Sequence, residues 1–369
     1  MKKVISLLTI IILYTSSVFA QDDKLKRPQE PLKPYSYYSE NIIFENKQAG
    51  INLAGTLTLP QKEGVYPAVI LISGSGPQDR NEELAEHKPF LVLSDYLTRN
   101  GIAVLRYDDQ GTAFSEGDFN SATSLDLATD VESAVAYLKK RKEIDKKNIG
   151  LIGHSEGGLL APLVAVESKD VAFILMLAGP GIPGDKILLQ QQQLIAEASG
   201  VSKEEIKATK RINKEIFKIV KKSSDIEQLK NDLRNHLEKF LAQNPKLKKP
   251  YGMTDDEFIN LQIKTYTTPW MQYFINYNPA STLKKVKIPV LALNGEKDLQ
   301  ITPKENLSAI KKALQIAKNK NVTVKELPSL NHLFQEADTG APQEYQLIEQ
   351  TYSPTALTAI LNWLNLQIK

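Results

Sequence analysis

The stretch that most constrains the fold is residues 149–158, which read Ile-Gly-Leu-Ile-Gly-His-Ser-Glu-Gly-Gly. An apolar run typical of a β-strand leads into Gly153, and small residues that suit a helix start follow Gly157. The pattern G-x-S-x-G at such a junction is typical of a sharp strand-to-helix turn that holds a serine clear of the sheet. Glycines flank the serine because the tight turn leaves little room for Cβ atoms. The stretch predicts a nucleophilic Ser155, provided that an acid and a histidine follow later in the chain.

Strand and helix patterns alternate around this stretch, after a predicted hairpin. Continuously apolar runs are typical of strands buried on both faces, and i, i+3, i+4 spacing is typical of amphipathic helices. The predicted strands are residues 41–44, 51–59, 67–72, 102–107, 149–153, 171–178, 288–293 and 322–327, and the predicted helices of the sheet region are 90–100, 125–141, 303–317 and 354–366. This order predicts the α/β class, with a mostly parallel central sheet, right-handed crossovers and helices on both faces.

Residues 182–283 interrupt the alternation. They contain no buried-strand run, only polar and charged helical segments, and they are too long for a loop inside a compact domain. We therefore predict an inserted helical cap at 182–283, between two parts of one core at 40–181 and 284–369. Aromatic residues gather near the end of the cap and either line a substrate pocket or pack the cap against the core: Tyr266, Trp270, Tyr273, Phe274 and Tyr277.

The first residues are typical of a secretory signal. Lys2 and Lys3 precede an apolar run at 4–13, and small residues at 17–20 suit cleavage. We predict a signal peptide at 1–20 and a charged, proline-containing flexible segment at 21–39, with an uncleaved membrane anchor as the alternative. The predicted location is secreted or periplasmic, with no stable membrane span after cleavage. The chain has no cysteine, which excludes a lipid-modified cysteine, a disulfide framework and a cysteine nucleophile.

Composition narrows the function class. Apolar residues make up 42% of the chain and charged residues 24%, which is a globular balance. The formal net charge is +3, and near +1 without the two leader lysines, so nothing points to a nucleic-acid partner. We find no metal-ligand spacing and predict no cofactor. Length and composition leave the oligomeric state open.

A serine nucleophile needs a base, and the chain has four histidines. His332 follows the last predicted strand, at the edge where open α/β sheets place their ligands, and is the predicted base. His154 and His236 are predicted to be a packing residue and a solvated residue of the cap, respectively. His87 precedes the elbow in the chain and is therefore out of order for the base.

The acid should leave the strand before the base. Asp298 does so and is the predicted orienting acid, with Glu296 as the second choice. The order Ser155, Asp298, His332 is the one expected for a nucleophile at a strand-to-helix turn.

Two backbone N–H groups are needed to bind the oxyanion. The amide of Glu156 directly follows the nucleophile and is the first predicted donor. The second is predicted in the loop Ser-Gly-Ser-Gly at 73–76, from the amide of Ser75 or, as the alternative, of Gly76. Glycine-rich loops also bind phosphates, but neither G-x-G-x-x-G nor a Walker A motif is present, which argues against a nucleotide site.

With these residues in place, the chain resembles an α/β hydrolase, and is most similar to the capped esterase and serine aminopeptidase-like branch. The resemblance runs from about residue 41 to the C-terminus, on motifs at 153–158, 294–298 and 331–332, and on Arg-Tyr-Asp-Asp-Gln-Gly at 106–111. Two departures concern neighbouring loops: Ser73-Gly74 stands where the family usually has His-Gly, and Gln110 stands where arginine is common.

The resemblance implies an exported serine hydrolase that cleaves carboxylic esters through an acyl-enzyme, with a small ester or short peptide as substrate. One alternative is a serine aminopeptidase-like peptidase, whose cap acids Asp255, Asp256 and Glu257 would grip a substrate amine. The other is a catalytically silent hydrolase fold that acts as a binding module. Dehalogenase chemistry is disfavoured because the elbow residue is serine and not aspartate.

Overall fold

The computed structural model describes residues 27–245, 249 and 252–368. The predicted signal peptide and residues 21–26 lie outside this part. The described chain forms two compact units. The larger one comprises residues 27–182 and 278–368, and the smaller one Pro183–Tyr277.

The larger unit is built on one sheet, which has eight strands within the described residues. They are β1 (Tyr38–Asn46), β2 (Ile51–Leu59), β3 (Tyr66–Ile72), β4 (Ala103–Tyr107), β5 (Ile144–His154), β6 (Phe173–Leu177), β7 (Val290–Gly295) and β8 (Val322–Leu327). Their order across the sheet is β1-β2-β4-β3-β5-β6-β7-β8. β2 is antiparallel to β1 and β4, and all other neighbouring pairs are parallel. This confirms the predicted mostly parallel sheet of the α/β class.

Six α-helices of the larger unit connect or flank these strands within the described residues. They are α1 (Pro89–Arg99), α2 (Ser124–Lys140), α3 (Gly157–Glu167), α9 (Ala280–Leu283), α10 (Pro303–Ile316) and α11 (Pro354–Gln367). Leu93 of α1 and Ile360 of α11 lie in one buried cluster with Leu71 of β3 and Leu291 of β7. The alternate strand residues are buried as well, which is why the apolar runs are continuous.

The smaller unit consists of helices and their connecting loops within its described residues. Its helices are α4 (Gly184–Ala198), α5 (Lys203–Lys222), α6 (Ile226–Gln243), α7 (Asp255–Tyr266) and α8 (Pro269–Asn276). The sequence placed the insertion at 182–283, whereas the compact helical unit ends at Tyr277 and α9 belongs to the larger unit. The sequence missed this boundary because α9 is short and polar, so no change of composition marks it. No described helix combines the length and the apolar character needed to cross a membrane.

The helical unit is stabilised by apolar faces and by capped helix starts. In α5 the buried positions include Ile212, Ile216 and Val220, which are three or four residues apart. Within this unit the ring of Trp270 stacks on Phe274 at 5.1 Å, and Tyr273 stacks on Tyr277 at 5.4 Å.

The described part of the predicted flexible segment is hydrogen-bonded to the larger unit. Arg27 donates to the backbone carbonyl of Ile348 at 2.8 Å, and the side chain of Gln29 accepts from the amides of Thr351 and Tyr352 at 2.7 and 2.9 Å. Composition predicted a tether here because the stretch is charged and contains prolines. The structure differs from this prediction, because two polar side chains of the segment form hydrogen bonds with backbone groups more than 300 residues away.

Candidate active site

Ser155 occupies the turn between β5 and α3, in a backbone conformation that is rare for any residue but glycine. Its φ is +51°, in the left-handed region, and its amide donates to the carbonyl oxygen of Leu177 at 2.8 Å. A Cβ on Gly153 would lie 1.9 Å from the carbonyl oxygen of Gly157, and one on Gly157 would lie 2.1 Å from that of Ile72. Glycine is therefore required on both sides of Ser155, and the strained turn is held by its surroundings.

Strand register brings four loops to one edge of the sheet. Ile72 of β3 pairs with Gly153 of β5, and Gly295 of β7 pairs with Leu327 of β8. Because these strands are parallel, the loops that follow β3, β5, β7 and β8 leave at the same carboxyl edge. The loop at 73–76, Ser155, Asp298 and His332 therefore share that edge.

Asp298 and His332 form a buried hydrogen-bonded pair. His332 Nδ1 lies 2.8 Å from Asp298 Oδ2, and the two side chains are 4% and 0% exposed. Asp298 Oδ1 accepts from the amides of Gln300 and Ile301 at 2.8 Å each. These bonds fix the carboxylate so that Oδ2 faces the imidazole, which places the Nδ1 proton between them and leaves Nε2 as the acceptor.

The structure therefore brings the predicted acid and base together. It shows no hydrogen bond between Ser155 Oγ and His332 within the described residues. Such bonds are often long before substrate binds and form in the reacting complex.

Glu296, the second choice for the acid, has a different partner. Its Oε2 accepts from the amide of Ser329 at 2.8 Å, and the residue is exposed. Within the described residues, Glu296 makes no hydrogen bond to His332.

The loop that carries His332 is shaped by its own polar side chains. Asn331, fully buried, accepts from the amides of Leu333 and Gln335 at 3.0 Å and donates to the Gln335 side chain at 2.9 Å. A Cβ on Gly295 would lie 2.2 Å from the carbonyl oxygen of Leu330. Glycine at the end of β7 thus lets the His332 loop pack directly on that strand.

The loop after β3 offers two backbone donors. Within 73–78, the amide of Gly74 donates to Glu82 Oε1 at 2.7 Å and that of Gln78 donates to Asp109 at 3.0 Å. Pro77 has no N–H. The amides of Ser75 and Gly76 make no hydrogen bond within the described residues. The predicted choice between these two donors therefore stays open.

Asp109 fixes both ends of the same loop. Its Oδ1 accepts from Ser73 Oγ at 2.8 Å, and its Oδ2 accepts from the amide of Gln78 at 3.0 Å. Burial raises the pKa of this carboxyl well above its usual range, although both hydrogen bonds act to lower it. The neighbouring Asp108 instead forms an ion pair with Arg80 at 2.6 Å. The turn at 106–111 thus supports the site through its acids, and Gln110, where arginine is common, is buried beside them.

Glu156 begins α3 with helical backbone angles, and its amide directly follows the nucleophile. Its side chain is buried and accepts from Ser124 Oγ at 2.5 Å. The backbone and the side chain of this residue thus face different partners.

The other histidines differ in their surroundings. His87 is buried between Thr351 Oγ1 and the carbonyl oxygen of Tyr345, each 2.9 Å away. His236, which the sequence predicted to be solvated, is half-buried, and burial lowers its pKa. His154 is buried as predicted, but both of its ring nitrogens also have polar partners: Glu82 and the backbone carbonyl of His332. Glu82 was not singled out from the sequence, because a lone acid in a polar loop carries no motif.

The acidic run of the helical unit serves the start of α7. Thr254 and Glu257 form a reciprocal capping box, and Lys249 pairs with Asp255. Hydrogen bonds to the backbone and side chain of Thr254 lower the pKa of Glu257. Asp255, Asp256 and Glu257 are all exposed, as expected for acids in the first turn of a helix.

Comparison with known proteins agrees with the fold. The family described as serine aminopeptidase, S33, matches residues 85–338. Esterase EstD of Thermotoga maritima is 27% identical over 313 residues, which cover 84% of this chain and 65% of EstD, so the chain spans just under two thirds of that relative.

Solved structures agree at the level of the fold. The α/β hydrolase GrgF of Penicillium sp. sh18 superposes with a TM-score of 0.55 at 16% identity, over 89% of this chain and 99% of that chain. An esterase of Pyrococcus furiosus superposes with a TM-score of 0.54 at 15% identity, over 89% of this chain and 91% of that chain. The fold is that of the α/β hydrolases, as the sequence predicted. The chain belongs to the serine aminopeptidase S33 family.

Proposed function

We propose that this protein is a serine hydrolase that cleaves carboxylic esters of small molecules. The observation that carries the proposal is the buried Asp298–His332 pair, which shares one sheet edge with the strained turn at Ser155. The relative EstD, named an esterase, supports the ester as substrate.

The proposed reaction has two half-steps. Ser155 Oγ attacks the ester carbonyl carbon while its proton passes to His332 Nε2, and Asp298 stabilises the imidazolium that forms. The resulting oxyanion accepts hydrogen bonds from the amide of Glu156 and from that of Ser75 or Gly76. His332 then returns the proton to the leaving alcohol, which gives the acyl-enzyme. In the second half, His332 deprotonates a water molecule, which attacks the carbonyl carbon of the acyl-enzyme. His332 then returns the proton to Ser155 Oγ, and the carboxylic acid is released.

The test is hydrolysis of p-nitrophenyl butyrate by the purified protein and by Ser155→Ala. We expect turnover by the parent protein and a loss of about 10⁶-fold in kcat in the variant, because the nucleophile is removed. Unchanged turnover in a folded Ser155→Ala protein would contradict the proposal.

Peptide hydrolysis is the second candidate, favoured by the description of the family. The feature that first suggested it, the acidic run at 255–257, is accounted for by the capping of α7. Parallel assays with p-nitrophenyl butyrate and with leucine p-nitroanilide separate the two. Ester turnover without anilide turnover would exclude the peptidase, and the reverse would replace the esterase proposal.

We also propose that the protein is exported by a signal peptide at 1–20. The basic start, the short apolar run and the small residues before Gln21 support this. Expression in a Gram-negative host should give a periplasmic protein whose N-terminal peptide begins near Gln21. A cytoplasmic protein that retains its first residues would contradict export.

A further inference from the structure

A second acid–histidine pair lies directly beside Asp298 and His332. His154 Nδ1 is 2.8 Å from Glu82 Oε1, and His154 Nε2 is 2.9 Å from the backbone carbonyl oxygen of His332. The side chains of His154 and Glu82 are 8% and 4% exposed. The rings of His154 and His332 are 4.8 Å apart. This pair is not used in the proposed reaction.

The partners of His154 fix its protonation. A carbonyl oxygen can only accept, so Nε2 must carry a proton to bond with the carbonyl of His332. An ionised Glu82 also only accepts, and its Oε1 already accepts from the amide of Gly74. With Glu82 ionised, Nδ1 therefore carries a proton as well, and His154 is an imidazolium ion-paired with Glu82. Burial alone would lower the pKa of His154, but the charge and hydrogen bond of Glu82 outweigh it and raise the pKa.

One oxygen of Glu82 thus joins two loops of the site. Oε1 accepts from Gly74, in the loop that holds the candidate oxyanion donors, and from His154, which in turn holds the carbonyl of His332. Gly74 lies against the nucleophile, since a Cβ there would be 3.2 Å from that of Ser155. Glu82 itself has a φ of +52°, a strained conformation of the kind found where surroundings dictate the position of a side chain.

We propose that Glu82 and His154 are positioning residues, which hold the His332 loop and the loop at 73–76 at a fixed separation around Ser155. The proposal rests on the proposed function. Neither residue is required to touch the substrate. Their buried ion pair keeps the base and the oxyanion donors in fixed positions while positive charge develops on His332 and negative charge on the substrate oxyanion.

The proposal predicts an alkaline limit on activity. The charged and titratable groups that face the pair are His332 and Asp298 around His154, and Tyr352 beside Glu82. When the pH rises through the raised pKa of His154, the Nδ1 proton is lost, because the His332 carbonyl holds the other one. A lone pair on Nδ1 then faces the Glu82 carboxylate, and the link between the loops opens. The contribution of the pair is therefore present at low and neutral pH and lost on the alkaline side.

The sharpest variant is Glu82→Gln. Because the same oxygen accepts both hydrogen bonds, an amide that turns its NH₂ group toward a neutral His154 no longer accepts from Gly74 at that position. We expect kcat for p-nitrophenyl butyrate to fall about 10- to 100-fold, the cost of a small misplacement of reacting groups, with KM nearly unchanged. The kcat of His154→Gln should fall by a similar factor. The double variant should be no slower than the slower single variant, because the two residues act as one unit.

Asp130→Asn is the matched control, a buried carboxylate changed to its amide. Asp130 accepts from Asn46 at 2.6 Å and makes no hydrogen bond to either loop of the site within the described residues. Asp130→Asn should leave kcat unchanged, and also the alkaline limb of the plot of kcat against pH. Glu82→Gln should shift that alkaline limb to lower pH.

Nitrogen-15 NMR measures the protonation of His154 directly. In a pH titration we expect His154, identified by the signal that is lost in His154→Gln, to keep both ring protons to a higher pH than an ordinary histidine, because its pKa is raised. A His154 that loses a ring proton at or below the ordinary pKa of histidine would overturn the proposal, as would Glu82→Gln with unchanged kcat and pH profile. If the parent protein itself lacks ester turnover and reaction with a fluorophosphonate, the proposed function fails instead, and the NMR signal still decides the state of His154.

Discussion

At the scale of single residues, the site depends on side chains whose partners are fixed by backbone groups. Asp298 illustrates this, because two amides bind Oδ1 and only Oδ2 is left for His332. The Ser155 turn is the complementary case, in which a φ of +51° carries a strain of about 1 to 3 kcal/mol. Packing of Gly153 and Gly157 against neighbouring backbone holds that strain in place.

Asp298→Asn should lower kcat about 10⁴-fold, because an amide turned toward His332 favours the wrong imidazole tautomer. Glu296→Gln is the control, since the glutamine oxygen can still accept from Ser329. It should retain nearly full activity in the same ester assay. If Glu296→Gln lost the activity and Asp298→Asn kept it, the acid would be misassigned.

At the scale of elements, the strand-to-helix turn and the β1–β2 turn place different demands on glycine. An alanine at Gly153 would have its Cβ 1.9 Å from a carbonyl oxygen at ordinary φ. An alanine at Gly50 would have open space but a φ of +68°. The first substitution requires the backbone to move, and the second only strains one residue.

We therefore expect Gly153→Ala to lower the free energy of unfolding by about 3 kcal/mol or more, and Gly50→Ala to lower it by about 1 to 2 kcal/mol. Urea unfolding followed by circular dichroism measures both. An equal decrease in the free energy of unfolding of the two variants would contradict the close packing at the elbow.

The loop at 73–76 is an element whose position is set by an acid from the loop that follows β4. Asp109 holds it through Ser73 and Gln78, and an asparagine there can accept at only one of its two terminal atoms. Asp109→Asn should therefore lower kcat by about tenfold, from displaced oxyanion donors, with a smaller effect on KM. Steady-state kinetics with a series of p-nitrophenyl esters checks this. A change confined to KM would indicate that the loop binds the substrate and does not stabilise the oxyanion.

At the scale of the whole molecule, buried carboxyls couple stability to pH. Burial raises the pKa of Asp130 from 3.8 to about 7, against the lowering effect of its hydrogen bond from Asn46. Between about pH 4 and pH 7 the folded state therefore binds more protons than the unfolded state at this group, so its contribution to stability falls as the pH rises.

Asp130→Asn removes this dependence, because the amide does not ionise. The free energy of unfolding of Asp130→Asn minus that of the parent protein should therefore increase by about 3 kcal/mol from pH 5 to pH 8. Urea titrations at the two pH values measure the difference. A constant difference would show that Asp130 is ionised throughout this range.

The sequence predicted most of the sheet and the Asp298–His332 pair for clear physical reasons. Strands buried on both faces are continuously apolar, and the ends of parallel strands meet at one edge, so chain order alone groups Ser155, Asp298 and His332. The elbow was recognisable because its glycines are imposed by backbone contacts.

The parts that were missed depend on polar contacts between distant residues. Glu82 and His154 are 72 residues apart, and His154 and His332 are 178 apart, with no periodicity or motif that links them. The same holds for Arg27, which composition alone assigned to a flexible segment. Its guanidinium donates to the backbone carbonyls of Ala85, Glu86, Gln346 and Ile348, all far away in the sequence.

The central claim is that Ser155 is the nucleophile of a working hydrolase. Reaction of the purified protein with a fluorophosphonate, followed by mass spectrometry of its peptides, tests this most directly. We predict one adduct per chain, on Ser155, which is absent from Ser155→Ala and formed much more slowly by Asp298→Asn. A folded parent protein that takes up no label, or takes it up at another residue, would contradict the claim.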